Sequence, residues 1–338
     1  MIWAGGGVVA ANAGDTLTLL TEAINAPVFT STNGRGGIAE DHPLAMGPLT
    51  AQPEFGEVIG GADVVLAVGT RFQGGATRNW TLPIPGKLIH LDADPAVIGR
   101  NYAPEVALVG DAGLGLAALL QSSGDATGRD VAFTARAQAV RDDVRATIRA
   151  QIGPDYSAIM DTMRELLPRA GCIVRDATVP AYLWGNRAIP ILEPRTSLHS
   201  TSAAIGPGLP LAIGAAIGSG QKTVLIQGDG GFMLNIGELA TAVQYNVPVI
   251  VCLFNDRGYG VLRSIQANTF EGRQTGVELA TPDFVMVAQG MGMQAELVKS
   301  AAEFREAFTR AVSADSPALI EIDMSGLVPM AGFGPRRN

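Results

Sequence analysis

The sequence predicts an α/β protein built from two domains, each a doubly wound parallel sheet. Three observations predict it. The chain has 338 residues, and at about 150 residues per domain that leaves room for two separate cores. Short, wholly apolar runs alternate with helical patterns along its length, the mark of parallel strands covered on both faces. Glycine takes 42 positions and charged residues only 17%, against about 25% charge in an average domain, so much of the surface is buried.

The elements follow in order. IWA after Met1 reads as an apolar opening strand running straight into Gly5-Gly6-Gly7. VVLAVG at 64–69, LIHLD at 88–92 and ALVGD at 107–111 read as buried parallel strands, with the Gly/Pro loops TNGRGG and LPIPGK between segments. From Gln121 the composition shifts: SSGDATGRD reads as a linker, and AFTARAQAVRDDVRATIRAQIG as a charged helix stopped at Gly153-Pro154. This divides the chain into a first domain at 1–120, a linker and helix at 121–154, and a second domain at 155–338. There CIV from 172, TVLIQGD from 223, VIVCLFND from 249 and ALIEID from 318 read as strands. Helices are expected at 235–246, 282–292 and 300–314.

Several function classes fall away. A net charge of −8, with 24 basic residues that nowhere cluster, does not make the positive field that a nucleic acid requires. Cys172 and Cys252 stand in the apolar runs GCIV and VIVCLFN, which points to packing rather than a nucleophile or a disulfide, and to a reducing cytoplasm. The start MIWAGGGVV lacks the basic region of a signal peptide. The charge-free stretch from Thr196 to Gln221 is broken by Pro207, Pro210 and glycines, which excludes a membrane span. The expectation is a cytoplasmic, oligomeric protein.

Ligands of open α/β sheets bind beyond the carboxyl ends of the strands, and here two strand ends carry acids. TVLIQ runs into Gly228-Asp229-Gly230-Gly231, and VIVCLF into Asn255-Asp256-Arg257-Gly258-Tyr259-Gly260. Asp256 follows Asp229 by 27 positions, enough for a crossover helix and a return strand, so neighbouring strands would present the two carboxylates side by side. Gly228 and Gly230 let a phosphate approach the backbone N–H groups, and the next helix points its positive end the same way. Mg²⁺ prefers near-octahedral oxygen ligands. Asp229, Asp256 and a loop carbonyl such as that of Gly258 supply three, and a diphosphate two more. Two acids that merely cap turns would leave carboxylates stranded at a sheet edge.

GDGGFMLNIGELATAVQYNVPVIVCLFNDRGYG, at 228–260, resembles the binding motif of thiamine diphosphate enzymes, in which GDG is followed at fixed distance by NN. Among these, acetolactate synthase large subunits are the most similar. The resemblance takes in GRGGIAEDHPLAMG and VGTRF…KLIHLDADPAVIGRN, which implies a Rossmann-like central domain in 1–120 and a diphosphate-binding domain in 155–338. It implies metal ligation by Asp229, Asp256 and the carbonyl of Gly258. It puts the bulky wedge under the thiazolium on Ile205, the carbonyl that receives the pyrimidine amino group on Ala203, and cofactor contacts on Thr178, Gly230 and Gly231.

Two departures carry consequences. Where the family most often has Asn, this chain has Asp256, which keeps the oxygen ligand but adds a negative charge facing the diphosphate. The family also begins with a pyrimidine-binding domain that carries an activating glutamate, and nothing in these residues matches it. The resemblance therefore implies a thiamine diphosphate- and Mg²⁺-dependent 2-oxoacid decarboxylase or carboligase, a lyase or transferase. It needs a separate pyrimidine-domain chain in a homo- or hetero-oligomer and is inactive without it. Truncation of a longer chain and loss of catalysis are the other ways to account for the missing domain. The alternative functions are a non-catalytic cofactor-binding or assembly subunit and a FAD- or NAD-dependent oxidoreductase.

That last alternative stands on Gly5-Gly6-Gly7-Val8-Val9-Ala10, which fits G-x-G-x-x-A. No acid ends the following strand, which runs out as VFTSTN, so structural glycines are the plainer reading and FAD stays a candidate ligand of the first domain. The three histidines, His42, His90 and His199, lack metal-ligand spacing. His90 reads as a packed strand residue, His199 as a candidate for the substrate pocket, and Arg71 as a candidate ligand contact.

Overall fold

A computed structural model describes residues 1–84, 87–124, 130–200 and 204–331. Two compact units make up the chain: Met1–Ala146 with Pro190–Ser197, and Thr147–Ile189 with Leu198–Asn338.

The first unit contains a six-stranded sheet of β1 (Ile2–Ala4), β2 (Val28–Thr30), β3 (Ala45–Gly47), β4 (Val65–Val68), β5 (Leu88–Asp92) and β6 (Val106–Val109). Their order is β3-β2-β1-β4-β5-β6, and every neighbouring pair runs parallel. The order reverses between β1 and β4, which makes the gap beyond their carboxyl ends the topological switch point. The triple glycine there has a steric cause. Gly5 N–H donates to Val68 O at 2.8 Å and Gly7 N–H to Gly69 O at 3.0 Å, and a Cβ on Gly7 would lie 2.6 Å from the Cα of Gly69. Two backbones touch at this point. The helix that follows, Gly6–Ala10, is only five residues long.

Pro190–Ser197, which the sequence reading assigns to the second domain, belongs to the first unit. The buried pair Arg35 and Glu40 accounts for this. Arg35 donates from Nε and Nη2 to the two Glu40 oxygens, at 2.7 Å each, while Ile191 N–H donates to Glu40 Oε2 at 3.0 Å. Glu40 N–H in turn donates to Ile191 O at 3.0 Å. A buried carboxylate is tolerated when its oxygens are so occupied.

The charged helix expected before Gly153-Pro154 is present. Helix runs over Val131–Leu166 but is broken at Gly153, with φ 79° and ψ 177°, after which Pro154 begins a new helical run where its missing N–H costs nothing.

The second sheet contains β7 (Cys172–Arg175), β8 (Ser197–His199), β9 (Thr223–Gly228), β10 (Val249–Asn255), β11 (Gln294–Val298) and β12 (Ala318–Asp323). Their order is β11-β12-β10-β9-β7-β8, and the run from β11 to β7 is parallel. β9 and β10 are buried nearly throughout. Leu225, Val251 and Leu253 pack with Phe232, Phe284 and Leu319, and each such side chain contributes about 1.5–3 kcal/mol by leaving water. The sequence reading omits β3, β8 and β11; β3 and β8 are three residues each, and β11 is a partly exposed edge strand. The helix expected at 235–246 is shorter, Glu238–Gln244, and one turn, Asp229–Phe232, precedes it. Among the described residues no helix is long and apolar enough to cross a membrane.

Candidate functional site

β7, β9 and β10 point their carboxyl ends the same way, with Phe254 opposite Gly228 and Arg175 opposite Ile226. The chain therefore leaves the three strands side by side, through Asp176-Ala177-Thr178, Gly228-Asp229-Gly230-Gly231 and Asp256-Arg257-Gly258. Between them lies a cavity of about 290 Å³. Thr178, Ile205, Gly228, Asp229, Gly230, Gly231, Asp256 and Gly258 all line it, so the tertiary structure brings these expected site residues to one place. Ala203, expected to offer its carbonyl, lies outside the described residues.

Asp229 is 1% exposed, and its Oδ2 accepts the Gly258 N–H at 2.9 Å. Burial, and after it the neighbouring Asp256, pushes its carboxyl up to about 7. Burial also raises Asp256, and Arg263 holds it down. The two carboxyls stand within hydrogen-bonding reach of each other, two acids that cannot both ionise cheaply without a cation. Arg263 Nη1 donates to Asp256 Oδ2 at 3.2 Å, and its Nε and Nη2 hold the two Glu278 oxygens at 2.9 and 3.2 Å. The added charge of Asp256 thus comes with a guanidinium. Sequence reasoning missed Arg263, whose position seven residues on carries no motif.

The glycines form a bare backbone strip facing three side chains. A Cβ on Gly228 would lie 2.7 Å from Thr178 Oγ1, one on Gly230 2.6 Å from the Tyr259 ring, and one on Gly231 3.2 Å from Ile205 Cγ1. Any larger residue would crowd these side chains out of their places. Tyr182, Leu262, Ile265 and Met324 complete the wall with apolar surface. Such a cavity takes a molecule with an anionic end, set on the glycine strip, and an apolar, ring-bearing body. Among the described residues no group of three or more His, Cys, Asp or Glu could hold a metal, so a divalent ion here would have only the two carboxylates, a carbonyl and phosphate oxygens. The residues present fit a diphosphate carried on a hard cation.

The remaining candidates separate. His90 is 1% exposed, its Nε2 stands 3.0 Å from Thr70 O, and burial lowers its pKa: a packed strand residue. His42 pairs with Glu22 at 3.2 Å. His199 lies on β8 with Nδ1 2.9 Å from Ser200 O, and the described lining of the cavity does not include it. Cys172 and Cys252 are free and buried. Arg71 lines a second cavity, about 400 Å³, at the switch point of the first unit, together with Gly6, Gly7, Asn33, Gly69 and Thr70.

Comparison with known proteins adds an independent line. A family model described as thiamine pyrophosphate enzyme, central domain, matches residues 1–119, and one described as thiamine pyrophosphate enzyme, C-terminal TPP binding domain, matches residues 180–322. The probable acetolactate synthase large subunit of Methanococcus aeolicus is 30% identical over 359 residues, covering 99% of this chain and 60% of that protein. The probable 2-ketoarginine decarboxylase of Pseudomonas aeruginosa is 36% identical over 295 residues, covering 86% of this chain and 52% of that protein. Acetolactate synthase 1, chloroplastic, of Oryza sativa subsp. japonica is 30% identical over 347 residues, covering 95% and 52%. The chain spans a little over half the length of the curated relatives it matches.

Proposed function

The chain belongs to the thiamine pyrophosphate enzyme family, and from that premise we propose that it is the diphosphate-binding part of a Mg²⁺-dependent 2-oxoacid decarboxylase or carboligase, similar to acetolactate synthase. One observation carries the reading: a buried carboxylate, Asp229, and a half-buried one, Asp256, in mutual hydrogen-bonding reach beside a bare glycine strip in one cavity. Asp229, Asp256 and the carbonyl of Gly258 hold Mg²⁺. Gly228, Gly230, Gly231 and Thr178 receive the diphosphate, and Ile205 and Ala203 serve the two rings. When bound, the cofactor supplies the electron sink for breaking the bond between a 2-oxoacid's carbonyl carbon and its carboxylate. The protein's part is to orient that group and exclude water from it. Tyr182, Leu262, Ile265 and Met324 line the cavity with apolar surface for the rings, and Arg263 meets the charge of Asp256.

The activating glutamate comes from a pyrimidine-binding domain outside these residues, in a cytoplasmic oligomer; the two buried free thiols suit a reducing compartment. The test mixes this chain with a pyrimidine-domain protein and measures CO₂ release from pyruvate and other 2-oxoacids. Strong turnover on mixing is expected, with almost none from this chain by itself. Robust turnover by this chain alone defeats the partner requirement, and failure to bind thiamine diphosphate with Mg²⁺ defeats the whole reading.

The first unit supports a second, smaller reading. Its switch-point cavity of about 400 Å³, with Arg71 at its wall, takes the nucleotide portion of FAD or a related ligand. Retained flavin absorbance after desalting is the expected sign, lost in Arg71→Ala.

A further inference from the structure

Ile205 lines the cavity and is 40% exposed. What fixes its turn is the peptide that follows. The Gly206 N–H, in the same plane as the Ile205 carbonyl, donates to both oxygens of Asp176 at 3.0 and 3.1 Å. The Gly206 carbonyl accepts from Asn235 Nδ2 at 3.0 Å. Gly206 has φ +105°, and a Cβ there would lie 2.9 Å from Leu234 Cβ, so the turn has no freedom to slide in that direction.

Asp176 is 4% exposed, and its negative charge is met by N–H groups. Oδ1 also accepts from Ala177 N–H at 2.6 Å, and Oδ2 from Gly208 N–H at 2.6 Å and Gln227 Nε2 at 3.1 Å. Gly208 opens the helix Gly208–Ser219, where N–H groups lack intrahelical partners and the helix dipole favours an anion. The sequence reading did not single out Asp176, and it is not among the residues that line the cavity. It stands behind the cavity, holding both residues that flank Pro207.

We propose that Asp176 is a positioning residue: by clamping the Ile205–Gly206 peptide it sets the Ile205 side chain in the cavity as the wedge against the cofactor's rings. The proposal rests on the thiamine diphosphate reading of this cavity. It separates two parts of the site, because the described hydrogen bonds of Asp176 come from Ala177, Gly206, Gly208 and Gln227 and none from Asp229, Asp256 or Gly258.

Calorimetry of the 338-residue chain with Mg²⁺ plus inorganic pyrophosphate, and with Mg²⁺ plus thiamine diphosphate, tests this. Asp176→Asn keeps the size of the side chain but turns an N–H₂ group toward N–H donors. It should lose at least about tenfold in thiamine diphosphate affinity, the worth of one charge-assisted hydrogen bond, with pyrophosphate affinity unchanged. In an Ile205→Ala background Asp176→Asn should cost nothing further, since coupled residues share one loss. A wild-type affinity for thiamine diphosphate overturns the proposal, and so does a parallel loss for both ligands. If Asp176→Asn does not fold, Asn235→Ala, which frees the carbonyl of the same glycine and so the far side of the turn, should show the same selective loss, and a wild-type ratio there overturns it. A wild-type chain that binds neither ligand removes the cofactor reading itself, whereas one that binds both, with unselective variants, removes the clamp alone.

Discussion

Replacing Asp256 by Asn, the residue its family most often carries, isolates the charge balance at the metal site. In the metal-free chain Asp229 sits at about 7, raised by burial and then by Asp256. Near neutral pH Asp229 must therefore lose a proton before a cation can bind, and in acid affinity should fall by up to about tenfold per unit. Asp256→Asn keeps an oxygen ligand, removes the like charge, and leaves Arg263 its two contacts with Glu278. Asp229 then ionises more readily, which offsets part of the Coulomb attraction lost with one ligand charge. The net change in Mg²⁺-dependent thiamine diphosphate affinity at pH 7 should stay within about tenfold, and the slope between pH 6 and pH 8 should flatten. Asp229→Ala removes a ligand and leaves the Gly258 N–H without its acceptor, and binding should disappear. Calorimetry at pH 6, 7 and 8, in buffers of different ionisation enthalpy to count released protons, measures both. Binding that survives Asp229→Ala and vanishes in Asp256→Asn refutes the ligand assignment.

Other consequences follow from the same geometry. Because Asp229 is raised above its unfolded value of 3.8, the native chain holds an extra proton between about pH 4 and 7, so its contribution to metal-free stability is present in acid and lost as pH rises through 7. Asp229→Asn should accordingly melt higher than wild type at pH 8 without metal, the advantage shrinking as pH falls below 7 and vanishing below about pH 4; an advantage that grows in acid contradicts this. In the first unit, Glu40→Ala takes away the carboxylate that meets the buried Arg35 guanidinium and should cost about 3–5 kcal/mol by denaturant titration, whereas exchanging both residues for leucine should recover most of it. Gly230→Ala forces the Tyr259 ring out of its place and should weaken cofactor binding by about tenfold or more at an overpacking cost of roughly 1–3 kcal/mol; Tyr259→Ala in that background should restore binding.

Much of this molecule is written locally. Buried strands such as VLIQ and VIVCLF announce themselves as apolar runs, Gly153-Pro154 stops its helix in any context, and the spacing from Asp229 to Asp256 requires only that β9 and β10 be neighbours. These features depend on backbone sterics and on the period of the side chains, which a linear pattern displays. Short or edge strands escaped because three residues, or a half-exposed face, carry too little pattern.

The glycine fingerprint after β1 shows how one pattern admits two causes. In G-x-G-x-x-A the glycines suit a ligand's phosphate or the approach of another backbone, and only the placement of Gly69 against Gly7 brings the second to light. The same holds for charge. Sequence spacing put two carboxylates at one edge and stopped there; that Arg263 answers Asp256, that Glu40 draws Pro190–Ser197 into the first unit, and that Asp176 grips Gly206 are matters of residues brought together from 7, 151 and 30 positions apart. Such pairings obey no period, because a buried charge takes whatever donor the packed fold delivers. Composition and order alone determined the two sheets and the acidic strand ends, and tertiary packing alone decided which groups neutralise those acids and hold the cavity in shape.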